Sequence, residues 1–290
     1  MLIQAGHDEA AHCNFNILRF EGEEEAGMQA VTGVFLTRAD AEHALEALRS
    51  AGIAADKIAV LTPGDIQNEL KSVPVDTAEQ PGMGKAIGAV VGAASGLSGA
   101  GLLLAAVVPG VGLVTAAGLL GATILGMAGA AVGAATGGAL ENFTSQGLPE
   151  DEIFVYEDVL RKGRTLVIVL AEDGDTAARA REVLQTAGAE AIDNARQQWW
   201  VGLRSAEREH YTRSGRNFTD DEKFYRLGFE AALHARNRCR EFDQTSAEMA
   251  RNIEDLEREH PGQEVSEAYT RGYQRGREYY QRLCDESKAA

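Results

Sequence analysis

The nine residues ALEALRSAG at positions 44–52 return at 180–188 as AREVLQTAG, offset by 136 residues, with identity at the first Ala, the Glu, the second Leu and the closing Ala-Gly. Each copy spaces its apolar residues as a helix does. Each ends on glycine, which accepts the left-handed turn that closes a helix. The flanks repeat as well. A β-rich run at 31–36 precedes the first copy, Thr37 and Asp40 suit a helix start, and a short apolar run at 58–61 stops at Pro63-Gly64. Around the second copy lie a short helix at 149–161, a strand at 165–171, a helix at 175–187 and a weaker strand at 189–195. Two βαβ units from one template predict an α+β fold: a ferredoxin-like split βαβ sheet with both helices on one face. A doubly wound sheet is disfavoured, because strands are few and no GxGxxG follows the first.

Between the copies, residues 86–140 hold 55 positions without a charged residue or histidine, and 16 of the 32 glycines fall between 82 and 138. Pro109 and Gly110 divide this block into 86–108 and 111–140. Either arm exceeds the roughly 20 helical residues that cross a hydrocarbon core. Gly84, Gly88, Gly92 and Gly96 recur every fourth residue, as do Gly129, Gly133 and Gly137, with Gly118 and Gly126 on a neighbouring ridge. Glycine costs about 1 kcal/mol in a helix, a cost offset where backbones approach closely in small-xxx-small packing. The block predicts two apolar helices folded back at Pro109-Gly110, a glycine-zipper hairpin over 82–140. Membrane insertion is the first reading of this pattern, a hairpin buried at the centre of an oligomer the second, and low-complexity disorder the third. No polar residue marks the tip, so an inserted hairpin would sit deep. Lys85 and Arg161-Lys162 put both its ends on the cytoplasmic side.

Gly33-Val34-Phe35, then Ala41-Glu42, Ala44-Leu45, Leu48, Ala51-Gly52-Ile53 and Asp56-Lys57-Ile58, resemble the opening of the bacterial general stress protein domain induced by heat or low temperature. The Gly/Ala block around Pro109-Gly110-Val111-Gly112 is similar too, as are Gly147-Leu148-Pro149-Glu150, Tyr156, Gly163 and Leu166-Val167. The resemblance covers residues 30–195. It implies a stress-associated, non-catalytic protein and supplies no active-site residues. The chain then divides into an acidic segment (1–29), the interrupted α+β domain (30–195) and a helical region (196–290).

In that last region, Thr219–Glu222 and Thr245–Glu248 read as capping boxes, Pro261-Gly262 as a turn, and 220–242, 246–259 and 264–286 as helices. A second repeat appears at offset 44: Tyr225-x-x-Gly228-Phe229 and Tyr269-x-x-Gly272-Tyr273. The spacing predicts two helices crossing at their glycines. Trp199-Trp200 suits a bilayer interface or packing between domains.

Chemistry is sparse. Glu207…His210 and Glu257…His260 have the ExxH spacing of di-iron carboxylate bundles, yet both sit in charged stretches. They would be the ligands of a di-metal oxidoreductase or iron-handling protein. His7, Asp8, Glu9, His12 and Cys13 fit no structural zinc pattern. Cys239 lies between Arg238 and Arg240, which would favour its thiolate. No GxSxG, P-loop or HExxH occurs, and no motif requires a cofactor. The 290 residues carry 28 basic and 44 acidic groups, a net charge of −16 that repels nucleic acid. Three scattered cysteines and an acidic N-terminus without an apolar run point to the cytoplasm, and the apolar hairpin adds membrane association with both its ends on the cytoplasmic side. The expectation is a non-enzymatic stress protein whose partners are membrane lipid, itself as a homo-oligomer, or both. An oligomeric pore lined by Ser95, Ser98, Thr115, Thr123 and Thr136 is a further alternative.

Overall fold

The computed structural model describes residues 28–64, 103–108, 111–117, 148–238 and 242–289. The fold is α+β and mostly helical, with one six-stranded antiparallel sheet and seven α-helices among the described residues. Strand β1 (Gln29–Phe35) leads into helix α1 (Arg38–Ser50), and a 3-10 turn at Ala55–Lys57 leads into β2 (Ile58–Pro63). Strands β3 (Leu103–Val108) and β4 (Gly112–Ala117) follow, then α2 (Ile153–Arg161), β5 (Thr165–Ala171), α3 (Gly174–Thr186) and the two-residue β6 (Glu190–Ala191). Helices α4 (Ile192–Thr212), α5 (Phe218–Leu233), α6 (Phe242–Glu259) and α7 (Val265–Ala289) complete the chain.

The repeated nonapeptide is a helix and its cap in both places. Thr37 accepts from the Asp40 N–H to start α1, and Asp173 does the same from Thr176 to start α3. Gly52 and Gly188 take φ of 86° and 87°, which lets Ile53 and Ala189 donate back to the Leu48 and Leu184 carbonyls. The shared Ala44/Ala180 and Leu48/Leu184 are buried on one sheet face with Val31, Phe35, Ile58, Val60, Val167 and Val169. The sheet order is β3-β4-β2-β5-β1-β6, so each repeat contributes strands that interleave with those of the other. The opposite face carries α2, α4 and the rest of the helical region.

The central block departs from the expected pair of helices. Where helical arms are predicted over 86–108 and 111–140, residues 103–108 and 112–117 form strands in register from Leu103↔Ala117 to Val108↔Gly112. Strand β4 pairs with β2 from Val60↔Ala117 to Pro63↔Val114. The chain does reverse between Val108 and Gly112, although Pro109 and Gly110 themselves lie outside the described residues. The physical reason is the partner. Val107, Val108, Val114 and Thr115 are β-branched, and β2 offers a paired edge with Thr62 and Thr115 hydroxyls 2.5 Å apart. The expected helical turn is thereby replaced by a β-hairpin held on the protein's own sheet. Gly84, Gly88, Gly92, Gly96, Gly118, Gly126, Gly129, Gly133 and Gly137 lie outside the described residues. No described helix is long and apolar enough to cross a membrane.

Other boundaries also move. The strand expected over 189–195 shrinks to Glu190–Ala191, because the apolar Ile192, Ala195, Trp199 and Trp200 follow helical spacing and open α4. The helix expected over 220–242 ends at Leu233. Neither capping box operates. Asn217 caps α5 by accepting from the Thr219 N–H, and Thr245 is buried inside α6.

The crossing of α5 and α7 is as expected and very close. A Cβ placed on Gly228 would lie 2.0 Å from the Tyr269 carbonyl oxygen, and one on Gly272 would lie 1.9 Å from that of Tyr225. One turn on, a Cβ on Gly276 would meet the Phe229 oxygen at 2.4 Å and the Ala232 side chain at 2.9 Å. Contacts advance together along both helices, so the two run parallel, with Gly228-x-x-x-Ala232 facing Gly272-x-x-x-Gly276. Gly272→Ala should therefore destabilise the protein by about 3 kcal/mol through overpacking. Gly202→Ala, on α4 with nothing within 4 Å of its Cβ position, should instead stabilise by about 1 kcal/mol through helix propensity. Denaturant midpoints of the two variants give the comparison.

Candidate functional site

Helix α2 is the piece on which the sheet and the helical region meet. Its sequence IFVYEDVLR buries every residue from Ile153 to Leu160, including Glu157 and Asp158. Buried carboxylates need partners, and basic residues supply them from both helices and turns. Arg238 donates from Nη1 to Glu157 Oε1 at 2.6 Å and from Nε to the Leu233 carbonyl at 2.7 Å, with its guanidinium 4.9 Å from the Tyr280 ring. Both side chains of that pair are 5% exposed. Arg196 reaches the Asp151 carbonyl and carboxylate at 3.0 and 2.9 Å, lies 3.4 Å from Glu230, and stacks 5.6 Å over Phe154. Arg226 donates to the other oxygen of Glu230 at 2.6 Å. Arg236 bridges Glu150 and Glu248 at 3.1 and 3.2 Å.

His234 stands at the end of α5 among these cations. Burial pushes its imidazole down to about 4, and Arg236, Arg196 and Arg238 act in the same direction against Asp151. On the sheet side, Tyr156 donates to Glu152 at 2.5 Å and lies 3.0 Å from the Thr32 hydroxyl. Burial raises the Glu152 carboxyl above the usual carboxylate range.

A second set of carboxylates serves the aromatic core. Glu207, 2% exposed, accepts from the Tyr225 hydroxyl at 2.8 Å and Arg275 Nε at 2.9 Å. Glu222 accepts from Trp200 Nε1 at 2.9 Å and from Arg204 at 2.7 and 2.6 Å. Asp221 accepts from the Tyr211 hydroxyl at 2.7 Å and Arg216 at 2.9 Å. Arg216 also holds Glu264 and Glu267, each at 2.7 Å, tying the turn before α5 to the turn before α7. A cleft of about 510 Å³ opens beside it, lined by Arg216, Asp220, Asp221, Phe224 and Glu264. Its one arginine is already engaged by three carboxylates, so the cleft offers an acidic rim and no free cation.

The ExxH residues do not converge. Glu207 is committed to Tyr225 and Arg275, His210 and Glu257 are exposed, and His260 lies 2.8 Å from Lys223 and edge-on to Phe224. Among the described residues no group of three His, Cys, Asp or Glu side chains is placed to hold a metal ion. The N-terminal His7, Asp8, Glu9, His12 and Cys13 lie outside the described residues, as do Cys239 and Arg240. Trp199 and Trp200 pack between the two regions: Trp199 is 4.8 Å from the Phe154 ring and Trp200 5.9 Å from Phe229. The sequence reading missed Arg196, Glu157, Glu230 and the burial of Glu207. One signal was available, since Glu157-Asp158 interrupts an otherwise apolar helical run.

This arrangement is a mechanical tie. Its charges meet one another across the seam, in space filled by aromatic rings. Comparison with protein-family models, curated proteins and solved structures finds no match to this chain.

Two measurements test the tie. Arg238→Ala or Glu157→Ala alone should cost about 3–5 kcal/mol, because each strands a buried charge. The double variant should cost less than their sum. For His234 the folded state holds the neutral form, so its contribution is complete above the ordinary value of 6.5 and is lost as pH falls toward about 4. Denaturant stability measured at pH 7 and pH 4.5 should therefore differ by up to about 3 kcal/mol from this group, and His234→Leu should flatten that difference.

Proposed function

We propose that the protein is a non-catalytic, stress-associated scaffold: a ferredoxin-like split βαβ sheet that self-associates through the Gly/Ala-rich segments inserted in it. The observation that carries this is the pairing of Leu103 with Ala117. That pairing fixes one corner of the sheet as the place where the uncharged runs 86–102 and 118–140 of the Gly/Ala block join the described strands. The described fold leaves off before these runs at Gly64 and resumes after them at Leu148. Uncharged runs of this length favour leaving water, and two such runs entering the fold at one sheet corner suit packing against sister copies better than one deep membrane hairpin does. The order β2-β5-β1-β6, with α1 and α3 on one face, supports the ferredoxin-like assignment. The stress association rests on the resemblance of residues 30–195. The net charge of −16 supports partners other than nucleic acid.

Particle sizing of the full chain, with and without detergent, is the test. Self-association gives a large homo-oligomer in plain buffer that Gly129→Leu, Gly133→Leu and Gly137→Leu together reduce in size. Recovery with lipid vesicles and release only by detergent would assign the arms to the bilayer instead. A compact monomer in plain buffer would overturn both readings.

A further inference from the structure

We propose that the aromatic core of the helical region is a proton-coupled electron relay, in which an oxidising equivalent on Trp200 or Trp199 passes to Tyr225 and then Tyr211. This inference stands apart from the Gly/Ala arms and from self-association. The chain has only two tryptophans, adjacent on α4 with ring centroids 6.1 Å apart. Trp200 is 6.3 Å from Tyr225, and Tyr225 is 5.0 Å from Tyr211. On the outer side the partly exposed Tyr279 stands edge-on to Trp199 at 6.3 Å.

Ring contact alone is ordinary core packing. The second feature is a carboxylate on the polar atom of Trp200, of Tyr225 and of Tyr211, each of which releases a proton when its ring is oxidised. Trp200 Nε1–H meets Glu222 at 2.9 Å, the Tyr225 hydroxyl meets Glu207 at 2.8 Å, and the Tyr211 hydroxyl meets Asp221 at 2.7 Å. Arginine fixes every one of these acceptors: Arg204, Arg275 and Arg216 respectively. Burial holds both phenols protonated, Tyr225 far above its ordinary value and Tyr211 at about 12. With a carboxylate already accepting from each phenol, loss of an electron is coupled to transfer of that proton.

The steps balance. A one-electron oxidant, such as an oxygen- or nitrogen-centred radical, takes an electron from Trp200 and becomes an anion. The indole N–H proton moves to Glu222. An electron then passes from Tyr225 to the indolyl radical, Glu222 returns its proton to the indole nitrogen, and the phenol proton moves to Glu207. Trp200 and Glu222 are restored, leaving a tyrosyl radical beside a protonated Glu207. The same exchange moves the radical to Tyr211 and its proton to Asp221, as Glu207 returns the proton to Tyr225.

An ultraviolet flash that ionises the tryptophans of the full chain, with nitrate to scavenge the ejected electron, tests the relay. Transient absorption should show the indolyl radical converting to a tyrosyl radical at a rate independent of protein concentration and slowed in heavy water. Tyr225→Phe with Tyr211→Phe keeps both rings and should slow that conversion by more than about tenfold. Glu207→Gln should slow it as well, with both tyrosines in place. Tyr269→Phe, a tyrosine hydrogen-bonded to Asn252 outside the ring series, should leave the rate unchanged. An unchanged rate in both the double-Phe and the Gln variants would overturn the proposal. So would a rate that rises with protein concentration.

Discussion

Two tyrosine carbonyls set the geometry of the helical region. The Tyr269 oxygen occupies the space where Gly228 lacks a side chain, and the Tyr225 oxygen does the same at Gly272. The contact is reciprocal, so neither helix can slide or turn without driving an oxygen into the opposite backbone. At such closeness glycine Cα–H groups face carbonyl oxygens, a weak attraction that adds to dense van der Waals contact. From this crossing the neighbouring residues take their places. Tyr225 and Phe229 point toward the tryptophans, while Tyr269 and Tyr273 join Phe224, Met249 and Leu256 in the cluster that seats α6.

The crossing is joined to the sheet by charge. Helix α2 lies against β5 on one side and α4 on the other, and its buried Glu157 meets Arg238 from the turn after α5. A pair at 5% exposure gains little over a well-packed apolar pair, but breaking it is costly. Such pairs favour one docking arrangement over its neighbours, because a shifted interface would leave both charges unpaired. Arg196 reinforces that choice by contacting Asp151 ahead of α2 and Glu230 on α5.

How much was legible depended on whether local chemistry or a distant partner decides. Helices α1 and α3 carry their own caps in Thr37, Asp173, Gly52 and Gly188, and they are found where their sequence places them. The glycine crossing was readable from the repeated Tyr-x-x-Gly-aromatic, since a repeated small residue beside repeated rings needs a close neighbour. The hairpin over 103–117 was not. The unbroken apolar run LLAAVV at 103–108 is compatible with helix or strand, and the vacancy beside β2 that selects the strand is invisible locally. The capping boxes failed for a related reason: Asn217 reached the start of α5 first, and Glu222 was drawn to Trp200 and Arg204. Glu207 looked solvated in a charged stretch, but its own face of α4 turns toward Tyr225 and Arg275.

Interleaving of the two repeats has a consequence for how the chain comes together. Strand β1 lies between β5 and β6, and Gln29 pairs with Ala171 at a sequence separation of 142 residues. Such distant closure slows folding, because chain entropy is lost before contacts reward it. During synthesis β1, α1 and β2 emerge first, and the oily insert follows before β5 exists to complete a platform. The nascent first half thus waits with one face of its strands unsheltered, and that apolar face stays open on the ribosome until β5 is made.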